Sequence, residues 1–190
     1  GTVAVNVGQI IGCNESVGAG VTTASITTAT GDLRVGPFTS SGNAAFTANG
    51  VGADIITCGD INSGAGNLTL QAGTGANANV QLKNNVTSTG LLTINSGAGA
   101  GSNVTLDPAV TVSGGTTAVN TPQLALGAGS TLRASTGDLD VQSNAPGSAL
   151  TVNLAAGSTI VSTNSDVGFN RTTTGAITMP GGLGTLQSGG

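Results

Sequence analysis

The sequence predicts an all-β chain wound as a parallel β-solenoid (a β-helix), with three short strands in each coil of about 24 residues. Three observations predict it. Glycine takes 33 of the 190 positions, while charged residues make up 6% and aromatic ones 2%. Thr, Val and Ile alternate in short runs punctuated by Gly and Asn, which reads as many strands joined by turns. Finally, two consecutive segments, 66–89 and 90–113, align without a gap.

The elements follow in order. Thr2-Val3-Ala4-Val5-Asn6-Val7 reads as an opening strand with Val3, Val5 and Val7 on one side. Gly31-Asp32-Leu33-Arg34-Val35 opens a first unit that runs through Ala45-Phe46 to Ile55-Ile56. Residues 59–65 read as an irregular insertion. In the aligned pair, Leu68, Leu70, Val80, Leu82 and Val86 match Leu92, Ile94, Val104, Leu106 and Val110. Gly66 matches Gly90, and Asn79 matches Asn103. Residues 114–136 place Leu124 and Leu126 in the second strand and Leu132 in the third. Residues 137–163 open on Leu139 and Val141, continue with Leu150, Val152 and Leu154, and close on Ile160. Gly175-Ala176-Ile177-Thr178-Met179 opens the last unit. Residues 1–190 thus read as one solenoid domain, most regular over 66–163 and less regular over 1–65 and 164–190.

Each strand is an apolar-x-apolar triplet. Alternation turns the apolar pair inward and the residue between them outward; Thr69, Gln81, Thr93 and Thr105 are such outward residues. A lone strand of this length is unstable. Stacked coils cover one another, so Leu68 should lie on Leu92, Leu70 on Ile94 and Val80 on Val104. Roughly seven coils at about 4.8 Å each make a rod of about 30–35 Å. The interior suits Leu, Val and Ile and would be overfilled by Trp or Tyr, both absent. Corners ask for residues that tolerate positive φ, which accounts for Gly and Asn. Asn79 and Asn103 are placed to stack as an amide ladder.

Composition excludes several classes. Disorder by charge repulsion needs charge, and the net charge is −4. Collagen needs Gly at every third position. No apolar run approaches a membrane span of about 20 residues. Arg34, Lys83, Arg133 and Arg171 are the only cations and form no stripe for nucleic acid. No basic or apolar leader precedes Gly1, so an exported protein would be present here as its mature chain or a piece of a longer one. The two cysteines, Cys13 and Cys58, fit one disulfide in an oxidising compartment or two buried thiols. A bond between them would staple the first coil region to the second.

Units of the form G-x-L-T-L…N-V-x-L…V-T-x-T-G, carried here by GNLTLQAG, GLLTINSG and SNVTL, resemble the β-helical repeats of filamentous haemagglutinin-type adhesins. They also resemble those of the large bacterial β-strand-repeat surface proteins. The likeness covers residues 66–163. It implies a right-handed parallel β-helix, secretion, and a role in surface fibres, adhesion or matrix. It implies no catalytic residue, and the conserved secretion domain that opens many such adhesins has no match here.

A polysaccharide-active enzyme on such a helix needs clustered carboxylates on an outer face. The acids are Glu15, Asp32, Asp54, Asp60, Asp107, Asp138, Asp140 and Asp166. Only Asp138 and Asp140 form an i, i+2 pair, and two exposed acids on one strand are more often solvation than catalysis. No His is present for a triad or a transition-metal site. Calcium is the one cofactor the acids leave open. Asp32, Asp60 and Asp138 each follow a Gly, where the plainer role is a turn bonding its own backbone. A Thr array for ordering water is poor: Thr87 and Thr89 align with Thr111 and Ser113, then with Arg133-Ser135 and Val161-Thr163. Sequons at Asn14, Asn67, Asn85, Asn103 and Asn170 are expected by chance in this composition.

The ends are the remaining candidates. Val3, Val5 and Val7 open the chain; Ile177, Met179, Leu183 and Leu186 close it, with no charge before Glu15 or after Arg171. Apolar ends with unpaired strand edges favour stacking of one coil on another. The expected role is an extracellular, surface-exposed structural protein without catalysis or cofactor. It would be a subunit of a filament or adhesin stalk, joined head to tail to itself or to flanking repeats of a longer chain. A surface or glycan ligand is left open. The alternatives are a β-helix lyase or hydrolase, and a pilin-like subunit that donates its Thr2–Val7 strand.

Overall fold

Strands of two to six residues persist here because all but the end strands lie between the same strand of the coil before and of the coil after. The computed structural model describes residues 1–7, 13, 20–144, 147–171, 175–180 and 184–189. Among these residues there is no helix, and the strands form one eight-stranded and two seven-stranded parallel sheets. The first face consists of Thr2–Val7, Thr23–Thr28, Ala44–Ala48, Leu68–Gln71, Leu91–Asn95, Thr116–Asn120, Leu139–Gln142 and Val167–Phe169. The second face runs from Leu33–Val35 to Ile177–Thr178, and the third from Phe38–Thr39 to Thr185–Gln187. The chain visits the three faces in turn, making about seven coils above the opening strand. At about 4.8 Å per step the first face is roughly 34 Å long.

The interior is a set of aliphatic columns. Leu68 pairs with Leu92 and Leu70 with Ile94 on the first face. Val80 pairs with Val104 and Leu82 with Leu106 on the second. All eight are buried, none more than 3% exposed. The outward Thr69, Gln81, Thr93 and Thr105 are half-buried, shielded by neighbours in their own sheets. Phe38 and Phe46 fit inside because Ala24, Ala44 and Ala48 leave room; their rings meet edge to face at 5.0 Å.

The corners carry a second kind of ladder. Where the chain bends, a backbone N–H loses its strand partner and must find another. At several corners the side chain just before a strand supplies it from the coil below. Asn67 N–H donates to Asn43 Oδ1 at 2.9 Å, and Leu91 N–H to Asn67 Oδ1 at 2.9 Å. At the second corner Asp54 N–H donates to Asp32 Oδ1, Asn79 N–H to Asp54 Oδ1, and Asn103 N–H to Asn79 Oδ1. At the third, Asn85 N–H donates to Asp60 Oδ1 and Thr111 N–H to Asn85 Oδ1. The stacking of Asn79 and Asn103 is therefore side chain to backbone. Buried serines close the bends from inside: Ser88 Oγ donates to Gly66 O at 2.6 Å, and Ser130 Oγ to Gly127 O at 2.8 Å.

Several sequence expectations change. Val86 stands beside Val112, not Val110. The corner at residues 107–111 is wider, with a turn closed by Val110 N–H on Asp107 O and Ala109 at φ 61°. Thr87 consequently neighbours Ser113. Leu33–Val35 belongs to the second face, and its coil opens on Thr23–Thr28, whose small inward Ala24 hides the alternation. Residues 59–65 are no insertion, since Ile61–Asn62 is a third-face strand in register with Phe38–Thr39 and Val86–Thr87. Two residues are too few to display a period. Ile177–Thr178 likewise lies on the second face, after Val167–Phe169 has opened the last coil. The coil also varies in length, from twenty residues between Ala24 and Ala44 to twenty-eight between Leu139 and Val167. Leu183 and Glu15 lie outside the described residues, as does the side chain of Val7.

Candidate ligand groove

Variation in one corner shapes the outer surface. Between the first and second faces the chain makes long loops at residues 72–79 and 96–103. In the next coil the same corner is a bend of only Thr121 and Pro122, linking Thr116–Asn120 to Gln123–Leu126. Pro122 fixes its own φ and restricts the residue before it, which suits so short a bend. Thr121 Oγ donates to Gln123 O at 2.8 Å and accepts from Ser96 Oγ at 2.9 Å. The short bend leaves a notch beside the taller loops.

That notch is an open groove of about 540 Å³, within the range of small-ligand clefts. One wall is a column of amides, each the last residue of a first-face strand. Gln71 pairs with Asn95, Asn95 with Asn120, and Asn120 with Gln142. Asn95 Nδ2 donates to Gln71 Oε1 at 2.8 Å, and Asn120 Nδ2 to Asn95 Oδ1 at 2.7 Å. The opposite wall is loop: Thr74, Gly97 and Ala98, with Ser96 at the base. Asn144 reaches two coils back to donate from Nδ2 to Ser96 O at 2.6 Å, bracing one end. Among the described residues no ionisable side chain lines the groove. The sequence reading missed this column. Its signature is the apolar-x-apolar-amide ending of Leu68-Thr69-Leu70-Gln71, Leu92-Thr93-Ile94-Asn95 and Leu139-Asp140-Val141-Gln142.

The acids lie elsewhere. Asp138 and Asp140 are joined by one guanidinium, Arg171 Nη1 standing 3.4 Å from Asp138 Oδ2 and Nε 3.1 Å from Asp140 Oδ1. Arg171 also meets Asp166 at 3.6 Å. The Ser165 hydroxyl and the Asp166 N–H donate to Asp138 and, with Arg171, hold its carboxyl below the usual range. A general acid needs the opposite shift. Among the described residues no three His, Cys, Asp or Glu side chains are placed to share a metal ion. Asp32, Asp60 and Asp138 serve as corner acceptors for the next coil, a different role from the self-bonded turn.

Asp54 behaves differently. Burial raises its pKa, Asp32 beside it adds to the rise, and bonds from Asn79 oppose it. A carboxyl whose pKa is raised on folding favours the folded state most below its unfolded pKa, and that benefit is lost as pH rises through the folded value. Asp54→Asn keeps the acceptor and removes the charge, as Asn79 and Asn103 already do in the same column. The variant is expected to melt higher than the parent at pH 7 and together with it at pH 3. Thermal melts at the two pH values check this; a lower melting point at pH 7 would refute it.

Cys13 and Cys58 are joined by a disulfide, with their Cα atoms 5.3 Å apart, across 45 residues of sequence. It ties the segment after the opening strand to the corner after Ile55–Thr57. A loop of that length confers up to roughly 4 kcal/mol in the chain-entropy picture. Coils unfold from the ends inward. Cys58→Ser is therefore expected to expose the amides of Thr23–Thr28 in native-state hydrogen exchange while leaving Leu91–Asn95 protected. Uniform loss along the rod would contradict this.

At the ends, Val3 and Val5 are half-buried on a strand whose one partner among the described residues is Thr23–Thr28. Ile177, Met179 and Leu186 on the last coil are 45%, 37% and 44% exposed. No family model, curated protein or solved structure matches the chain.

Proposed function

We propose that the chain is an extracellular structural β-solenoid, a segment of a fibre or adhesin stalk of the filamentous haemagglutinin kind, and that it performs no catalysis. The observation that carries this is the last coil. Ile177, Met179 and Leu186 are three of five large apolar side chains exposed among the described residues. Ile177 and Leu186 stand on the terminal strands of two sheets and Met179 follows the first of them; no strand among the described residues pairs beyond either. An added coil would cover them and satisfy the free N–H and C=O edge at once. The half-buried Val3 and Val5, on the outermost first-face strand at the other end, offer an edge that would continue Val167–Phe169 in the same added coil. Joining unlike ends is a heterologous contact, which propagates instead of closing. The disulfide supports an oxidising compartment, and the depressed carboxyl of Asp138 is poorly suited to act as a general acid.

Electron microscopy of the purified chain over a range of concentrations tests the reading. Rods should lengthen with concentration, and Val5→Lys or Leu186→Lys should shorten them. A monodisperse single rod at high concentration, unaffected by either substitution, would overturn it.

A further inference from the structure

The geometry points to the amide-lined groove as a binding site for a neutral, hydroxyl-rich oligosaccharide lying along the solenoid axis. Asn95 spends one N–H on Gln71 and one lone pair on Asn120. A primary amide has two of each, so the rung keeps a donor and an acceptor for a ligand. A donor beside an acceptor matches a pair of neighbouring hydroxyls, each of which both gives and takes a hydrogen bond. The rungs recur about every 4.8 Å along the column, close to the repeat of successive pyranose rings in an extended chain. Thr74 adds a hydroxyl on the opposite wall.

The other ligand classes fit less well. Among the described residues no ionisable side chain lines the groove, so neither an acidic polysaccharide nor a phosphorylated ligand finds a counter-charge there. An extended peptide binds by adding a strand to an open edge. The first-face strands that carry the amides are paired on both sides, and among the described residues the lining carries no apolar side chain larger than that of Ala98 to hold a peptide side chain. Phe38 and Phe46 are buried and the half-buried Phe169 does not line the groove, so no aromatic platform stacks on a sugar ring there. The site should therefore be weak in a single chain, with Kd on the order of 1 mM. It belongs to one chain and does not depend on end-to-end stacking; a fibre would add avidity by repeating it.

The test is titration of the isotope-labelled 190-residue chain, followed by NMR of its side-chain amides. The probes are maltohexaose, cellohexaose and mannohexaose, with a hexamer of galacturonate as the acidic control. At least one neutral hexasaccharide should shift the Gln71, Asn95 and Asn120 amides in a saturable way, and the acidic hexamer should not. Ala98→Arg fills the groove from an exposed loop position and should weaken binding at least tenfold. Asn120→Ala should weaken it similarly, with the aliphatic core signals unchanged. The proposal is overturned if none of the three neutral probes shifts these amides at several times 1 mM. Equal binding by Ala98→Arg, or binding of the galacturonate hexamer alone, also overturns it.

Discussion

Leu92→Asp should abolish folding, while Thr93→Asp, one residue on, should leave the solenoid intact. Leu92 is fully buried between Leu68 and Thr117 in the middle of the first face. A carboxylate there meets only aliphatic neighbours and the Thr117 hydroxyl, which already donates to Arg133 O. An unpaired buried charge costs several kcal/mol, against a total stability of about 5–15 kcal/mol for an ordinary domain. The position compounds the loss. In a solenoid each coil contacts only its neighbours, so a break at the fourth of about seven coils leaves two short pieces, neither with much core of its own. Thr93 is half-buried and faces outward between Thr69 and Ala118. A carboxylate there reaches water, and the expected cost is within about 0.5–1 kcal/mol. Far-UV circular dichroism and urea unfolding of the two variants decide the matter. Comparable stability for both would mean that the assigned face of this strand is wrong.

The strand register was legible wherever a triplet carried two branched or long aliphatic residues. Leu68, Leu70, Val80 and Leu82 announce their partners one coil later because each is large enough to stand out from the Thr, Ser and Asn around it. Legibility failed where the inward residue was small or polar. Ala24 and Ala44 fill the same column as Leu68 and Leu92, and Thr117 sits there fully buried. The column tolerates this because Phe46 and Phe38 occupy the space beside the alanines and Thr117 bonds a carbonyl. Two-residue strands such as Ile61–Asn62 have no period to read. The groove was illegible for another reason. It arises from a difference in loop length between neighbouring coils, and a repeat search aligns what coils share. Only the recurring amide after the second apolar residue pointed toward it.

The corner glycines set two physical reasons against each other. The sequence reading held that they serve positive φ. That is true of Gly129, at φ +68°, where an added Cβ would meet nothing within 4 Å. It is not true of Gly66, which lies outside the left-handed region. A Cβ on Gly66 would overlap the Gly42 carbonyl carbon and the Asn43 nitrogen of the coil below. Both are backbone atoms held by the ladder and cannot swing aside. Carbon atoms settle about 3.5–4.0 Å apart, so an alanine there forces the two coils to separate. Separation loosens the bond from Ala44 N–H to Asn67 O at 2.8 Å and that from Asn67 N–H to Asn43 Oδ1 at 2.9 Å. It also moves Gly66 O, on which Ser88 Oγ depends at 2.6 Å. Overpacking with lost hydrogen bonds puts Gly66→Ala at several kcal/mol. Gly129→Ala carries only the left-handed penalty, about 1–2 kcal/mol, part of it offset by a stiffer unfolded chain. Urea midpoints of the two variants are therefore expected to fall in that order, Gly66→Ala far below Gly129→Ala. The reverse order would mean that the corner glycines are kept for backbone conformation and that the coils meet there with room to spare.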